Sequence, residues 1–125
     1  MKKLVRSVAS IAVLAALGMS SQAVYADAVT DQAATLVRAS KNAEAFALLE
    51  PLESERAGDR DYDLLFGIAA IEVGQATRAV FALERVLALD PNNVRARAEI
   101  ARAYLALGET ETAKQEFETV KKQGV

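Results

Sequence analysis

The stretch Arg60–Asn93, RDYDLLFGIAAIEVGQATRAVFALERVLALDPNN, is followed at once by Val94–Val125, VRARAEIARAYLALGETETAKQEFETVKKQGV, and the two are one pattern written twice. Laid over each other, Gly67 meets Ala101, Ala70 meets Tyr104, Gly74 meets Gly108, Ala79 meets Ala113, Leu83 meets Phe117 and Val86 meets Val120. Every pair is 34 residues apart, the period of a two-helix unit that buries its apolar face only by stacking on neighbours. An all-α solenoid follows from that period. Small residues at Gly67/Ala101 and Ala79/Ala113 are expected where the two helices of a unit cross closely, since a bulky side chain there would overpack the crossing. Leu83/Phe117 and Tyr104, the counterpart of Ala70, fill the spaces between, so Tyr104 reads as packing rather than recognition.

The punctuation agrees with the period. Asp61 is expected to cap a helix over about Tyr62–Val73, which Gly74 ends in the left-handed conformation glycine tolerates. Thr77 is expected to open the next helix, running to about Leu89. Asp90-Pro91-Asn92-Asn93 then forms a turn: Pro91 cannot continue a helix and Asn93 is a good N-cap. The next helix is expected over about Val94–Leu107, Gly108 terminates it, and Thr110 is expected to cap the last, through Gln123.

Upstream, Asp27–Asp59 falls into the same frame as a degenerate first repeat. Ala33, Leu36, Ala45 and Leu49 take the places of Gly67, Ala70, Ala79 and Leu83, and Ser40 replaces the loop glycine. Pro51 lies inside the second helical segment and predicts a bend near Ala47, whose carbonyl loses its donor. The organisation is therefore residues 27–59, 60–93 and 94–125, about three helix-turn-helix repeats in a short right-handed solenoid.

Residues 1–26 stand apart. Lys2, Lys3 and Arg6 precede an apolar run from Val8 to Leu17, and small residues end at Val24-Tyr25-Ala26. This is the layout of a cleavable secretory signal cut after Ala26; the apolar run is short against the roughly 20 residues of a spanning helix. Export to the periplasm is expected. The segment carries three of the 15 basic residues and none of the 17 acidic ones, leaving a body with a net charge of about −5. Such a body argues against nucleic acid as a partner.

Chemistry is scarce. The chain has no Cys and no His, which removes thiolate ligands, the thiol nucleophile and the commonest general base and zinc ligand. Asp59, Asp61 and Asp63 read as helix-start charges, because no Gly-and-Glu loop follows to complete a calcium site. No glycine-rich phosphate loop occurs. No catalytic residue, metal, cofactor or small-molecule substrate is expected, and the chain reads as non-enzymatic.

Gly67, Gly74, Ala79, Leu83 and Leu87-Ala88-Leu89-Asp90-Pro91-Asn92-Asn93 together resemble the tetratricopeptide repeat, as do Ala101, Tyr104, Gly108, Ala113, Phe117 and Val120 in the second copy. Asp63 departs from the family pattern, which prefers an aromatic or large apolar residue there. Leu48-Leu49-Glu50-Pro51-Leu52, Ala79–Leu87 and residues Ala96–Phe117 resemble the N-terminal periplasmic repeat domain of the surface lipoprotein assembly modifiers, outer-membrane proteins that carry such a domain ahead of a β-barrel. That likeness implies a stand-alone or truncated relative lacking the barrel, with the transport step itself not assigned to it. Some repeat domains of this kind clamp a C-terminal carboxylate with Lys and Asn; this chain has Leu64 and Ile68 in their places, so no such clamp is expected.

Partner-binding candidates are the residues left on the inner face of each first helix. They are Ala34, Val37 and Arg38, then Leu64, Leu65, Ile68, Ile71 and Glu72, then Arg95, Ala98, Glu99, Arg102 and Leu105. Arg95, Glu99 and Arg102 share a face at i, i+4 and i+7. They read either as a solvated row of intrahelical ion pairs or as the basic edge of a groove with an apolar floor that takes a peptide. At the other extreme of the stack, Tyr104, Phe117 and Val120 are expected to be incompletely buried, so that this end docks on another protein or on a second copy. Two functions remain open: a periplasmic adaptor that binds a peptide or protein in its groove, and the recognition part of an outer-membrane lipoprotein or protein export system.

Overall fold

The computed structural model describes residues 28–124. The signal-peptide reading of residues 1–26 lies outside them. Residues 28–38 form α1, followed by α2 (Asn42–Leu49), a 3-10 turn (Glu50–Leu52), α3 (Glu53–Arg56), α4 (Arg60–Glu72), α5 (Ala76–Leu89), α6 (Val94–Ala106) and α7 (Thr110–Lys122). No strand occurs among the described residues. Helix α4 packs on α5, α5 on α6 and α6 on α7, while α2 touches α4 and α4 touches α6. The result is an all-α solenoid of three helix-turn-helix units, α1 with α2–α3, α4 with α5, and α6 with α7.

The 34-residue frame is physically real at the crossings. Ala45, Ala79 and Ala113, one from each second helix, are all fully buried, as are Ala33 and Ala101. The glycine in this set has a specific reason. A β-carbon at Gly67 would lie 2.7 Å from Leu83 Cγ and 2.8 Å from Leu83 Cδ2. The close approach that demands glycine is thus to the Leu83 side chain, which is itself fully buried and has little room to yield.

Each unit turns by the same device. After α4, Gly74 has φ 82°, the Gln75 N–H bonds to the Ala70 carbonyl at 2.8 Å and the Gly74 N–H to the Ile71 carbonyl at 3.2 Å. After α6, Gly108 has φ 77°, and the Glu109 and Gly108 N–H groups bond the Tyr104 and Leu105 carbonyls. After α1 the residue in this place is Ser40, with φ 60°, and Lys41 and Ser40 N–H groups bond Leu36 and Val37. All three are Schellman turns whose last carbonyls are satisfied by a left-handed residue. Ser40 does the work of glycine at a conformational cost.

Several helix starts differ from the sequence expectation. Asp59, not Asp61, caps α4, its carboxylate accepting from the Asp61 and Tyr62 N–H groups. The helix therefore opens at Arg60, because Asp61 is already inside its first turn. Helix α5 opens at Ala76 behind Gln75, and α7 at Thr110 behind Glu109, neither with a side-chain cap. Thr77 and Thr110 are helical residues, and the preceding Schellman turn sets these starts instead. Asn93 does cap α6, accepting from the Ala96 N–H at 2.9 Å.

Pro51 breaks its helix later than expected. The α-helical bonding continues to the Glu50 N–H, which reaches the Phe46 carbonyl, and the chain then tightens into the 3-10 turn Glu50–Leu52 instead of bending near Ala47. A 3-10 turn absorbs the missing proline donor locally. Within it the Glu53 N–H bonds the Glu50 carbonyl, and the Leu49 carbonyl instead accepts the buried Tyr62 hydroxyl at 2.7 Å. Burial, with Glu53 and Asp63 nearby, pushes the Tyr62 phenol well above its ordinary value. The broken helix is then held to α5 by Arg78, which pairs with Glu50 at 2.6 Å and Glu53 at 2.7 Å and lies over the Phe46 and Phe66 rings.

Candidate functional site

The first helices of the three units leave a groove between them. Its larger part encloses about 480 Å³ and is lined by Ala34, Val37 and Arg38 from α1, Leu64, Leu65 and Ile68 from α4, and Arg95 from α6. A contiguous part of about 260 Å³ shares Ala34, Leu64 and Leu65 and is lined further by Thr30, Asp31 and Asp61. The residues reach one surface because positions 30, 34, 37 and 38 of α1, and 61, 64, 65 and 68 of α4, recur at helical spacing on a single face. The floor is apolar: Ile68 is buried, and Leu64, Leu65 and Ile71 are half-buried.

The expected residues divide into two sets. Arg38, Leu64, Leu65, Ile68 and Arg95 line the groove together. Glu72, Glu99 and Arg102 do not line it; they form a chain of ion pairs beside it. Glu99, only 6% exposed, accepts from Arg95 Nε at 3.0 Å and from Arg102 at 2.6 Å. Arg102 also pairs with Glu72 of the preceding unit, and the carboxylates of Glu72 and then Glu99 raise the Arg102 guanidinium further above its ordinary value. The row of ion pairs is therefore present, and it extends across the α4–α6 junction. A carboxylate as buried as Glu99 is stable there because two guanidinium groups satisfy it.

What remains for a partner is Arg95, whose side chain is 60% exposed and engages Glu99 through Nε alone, and Arg38. Arg38 donates to Thr35 Oγ1 at 3.2 Å and has no carboxylate partner among the described residues. The groove thus has two guanidinium groups at one part of its rim and the Asp31 and Asp61 carboxylates at another. Asp31 is not among the candidates that sequence spacing picks out, and Asp61, expected as a cap, stands in the first turn of α4 facing the groove. The repeat frame does carry a signal for the second, since Asp61 stands 34 residues before Arg95 and occupies its equivalent position.

Asp63 does lie in the first turn of α4, but it is more than a helix-start charge. It is fully buried, accepts from Arg85 Nε and Nη2 at 3.2 and 2.9 Å, and accepts the Gly58 N–H at 2.8 Å. One carboxylate so ties α4, α5 and the turn before α4. In the next unit the equivalent residue is Arg97, which pairs with Glu116 at 2.8 Å. The position that the family pattern fills with an aromatic or large apolar residue carries a charge of opposite sign in the second and third units, each matched by the following helix, whereas in the first unit it is the buried Val29.

Among the described residues no group of three His, Cys, Asp or Glu side chains could hold a metal ion, and no helix is long and apolar enough to cross a membrane. A search of curated proteins matches none of them to this chain. Residues 70–125 match the tetratricopeptide-repeat family. That match spans the end of α4 with α5, α6 and α7, whose buried alanines and left-handed turns repeat the frame of the units before them, so this part of the chain is similar to the tetratricopeptide repeat.

Proposed function

We propose that the chain is a non-catalytic interaction module, exported to the periplasm, that holds a peptide or protein segment in the groove of its first helices. The supporting observation is the groove itself: an apolar floor of Leu64, Leu65 and Ile68, open to solvent, with Arg38 unpaired by any described carboxylate and the largely exposed Arg95, paired with Glu99 through Nε, at its rim. Export is supported by the charge and hydropathy pattern of residues 1–26 and by nothing else. A mature protein of the periplasmic fraction whose first residue is Asp27, read by mass spectrometry, is the expected result; retention of the full-length mass in the cytoplasm would refute it. A narrower form of the reading, the recognition part of an outer-membrane lipoprotein export system, rests only on the likeness of residues 48–52, 79–87 and 96–117 to the assembly modifiers.

The groove is tested by capture from periplasmic extract with the wild type, Leu65→Asp and Phe81→Ser. Leu65→Asp puts a charge on the floor and should lose the partner. Phe81 is exposed and lies outside the groove lining, so Phe81→Ser should retain it. Equal capture by Leu65→Asp and the wild type would rule the groove out. The pair Arg95→Glu with Arg102→Glu is a poorer probe, because it would strip both cations from buried Glu99.

A further inference from the structure

The rim charges of the groove are separated by sign, and this bears on what it selects. At one part stand Asp31 of α1 and Asp61 of α4; at the other stand Arg38 of α1 and Arg95 of α6. Between them lie Ala34, Leu64 and Leu65, shared by both parts, with Val37 and Ile68 beyond. Asp31 and Arg38 are one stretch of α1 apart, about 10 Å at the helical rise of ~1.5 Å per residue. That separation is close to the screening length of physiological salt, about 8 Å, so the two ends act on a ligand as distinct local charges instead of cancelling. Two of the four groups are unpaired and the other two are only partly engaged, and Arg56, which lines a neighbouring hollow with Asp31 and Asp61, is itself paired with Asp59. Asp31 and Arg38 have no ion-pair partner among the described residues, Asp61 touches only Arg60 at 3.5 Å, and Arg95 engages Glu99 through Nε alone.

We infer that the groove is a polarised peptide site, built for a segment with a cationic and an anionic side chain about three residues apart and apolar residues between them. The inference rests on the groove being the binding surface and specifies the chemistry of its occupant. The spacing follows from the geometry. An extended polyproline-II segment rises about 3.1 Å per residue and returns its side chains to the same side every third residue, so residues i and i+3 lie ~9 Å apart on one face. The intervening pair points to the other two sides of the segment, which brings one of its apolar side chains towards Leu64, Leu65 and Ile68. A peptide with like charges at both ends would meet repulsion at one of them.

The test uses the full chain and five synthetic peptides, each capped at both termini and fluorescently labelled, sharing the flanks Gly-Ser. Their central sequences are Lys-Leu-Ile-Glu, Glu-Leu-Ile-Lys, Lys-Leu-Ile-Lys, Glu-Leu-Ile-Glu and Gln-Leu-Ile-Gln. One of the two mixed-charge orders should bind best, about two- to fivefold tighter than the neutral peptide for each charge matched at an exposed site. Arg38→Glu should shift the preference towards Lys-Leu-Ile-Lys, and Asp31→Lys towards Glu-Leu-Ile-Glu. Both are exposed residues whose replacement leaves the buried network untouched. Circular dichroism confirms that each variant is folded. Equal affinities across the series, a preference for a like-charged peptide in the wild type, a ranking unmoved by the two variants, or no binding by any peptide would each overturn the polarised site. The groove reading fails separately, when Leu65→Asp still captures the partner of the wild type.

Discussion

The unit α4–α5 and the unit α6–α7 are built on one pattern and end in different states. In α5, Ala76, Ala79, Val80, Ala82, Leu83 and Val86 are buried, whereas in α7 only Ala113 is. Leu83 is 0% exposed and its counterpart Phe117 is 36% exposed, although phenylalanine is the more apolar payload. Val80 is buried where Lys114 is exposed. The difference is one neighbour: α6 lies on α5, and no described helix lies on the corresponding face of α7. The crossing alanines need only the partner helix of their own unit and are buried in both. Residues on the outer side of the second helix are buried by the next unit, so their burial is a property of the stack rather than of the repeat. Tyr104, Phe117 and Val120 are accordingly only partly covered.

The contrast is most sharply broken at its own position. Leu83→Ala should cost about 3 kcal/mol, within the range for emptying a fully buried leucine site. Phe117→Ala should cost about 1 kcal/mol, because much of its ring already meets water. Urea denaturation at neutral pH measures both; equal losses would mean that Phe117 is covered in solution, as an associating end would require. Next comes the inverted charge. Asp63→Ala should cost about 2 kcal/mol, less than the full penalty for stranding a buried partner because Arg85 is partly exposed and can turn to solvent. The Gly58 N–H also loses its acceptor. Arg97→Ala should cost less than Asp63→Ala, since both Arg97 and Glu116 keep some contact with water.

Smaller effects sharpen the comparison with the first unit, which is held by different means. Tyr62→Phe removes the hydroxyl that satisfies the Leu49 carbonyl and should cost about 1 kcal/mol near neutrality. It should also change the alkaline limb. The folded phenol titrates above its ordinary value of 10.0, so native protein binds the proton more tightly than unfolded chain does, and stability falls as pH rises above about 10. Tyr62→Phe should flatten that fall, as chemical denaturation between pH 9 and 11 would show; an unchanged slope would place the linkage elsewhere. Last, Ser40→Gly should stabilise the first unit by about 0.5 kcal/mol, the relief at φ 60° being partly offset by the added freedom of glycine in the unfolded chain. A lower melting temperature for Ser40→Gly would show that the serine is held there by something other than the turn.

The groove is only partly legible in the sequence. Arg38, Leu64, Leu65, Ile68 and Arg95 were found by spacing because one face of a helix is a local property. Glu99 and Arg102 share that face by the same rule, yet they turn to each other and to Glu72, since a side chain as long as arginine selects its partner from everything within reach. Asp31 joined the site only when α1 and α4 were brought side by side.

The sequence by itself determined the repeating frame. The turn positions 40, 74 and 108, the small residues at the crossings and the cap at Asn93 are local preferences of backbone and helix surface, and they can be read from residue type and the 34-residue period together. Tertiary structure decided what that frame could not encode. It sank Asp63 against Arg85, seated the Tyr62 hydroxyl on the Leu49 carbonyl, buried Leu83 while leaving Phe117 in part exposed, and separated the acidic from the basic rim of the groove. The physical reason is common to all four. Burial and charge pairing depend on which atoms arrive from elsewhere in the chain, whereas a turn or a cap is satisfied by atoms only a few residues away.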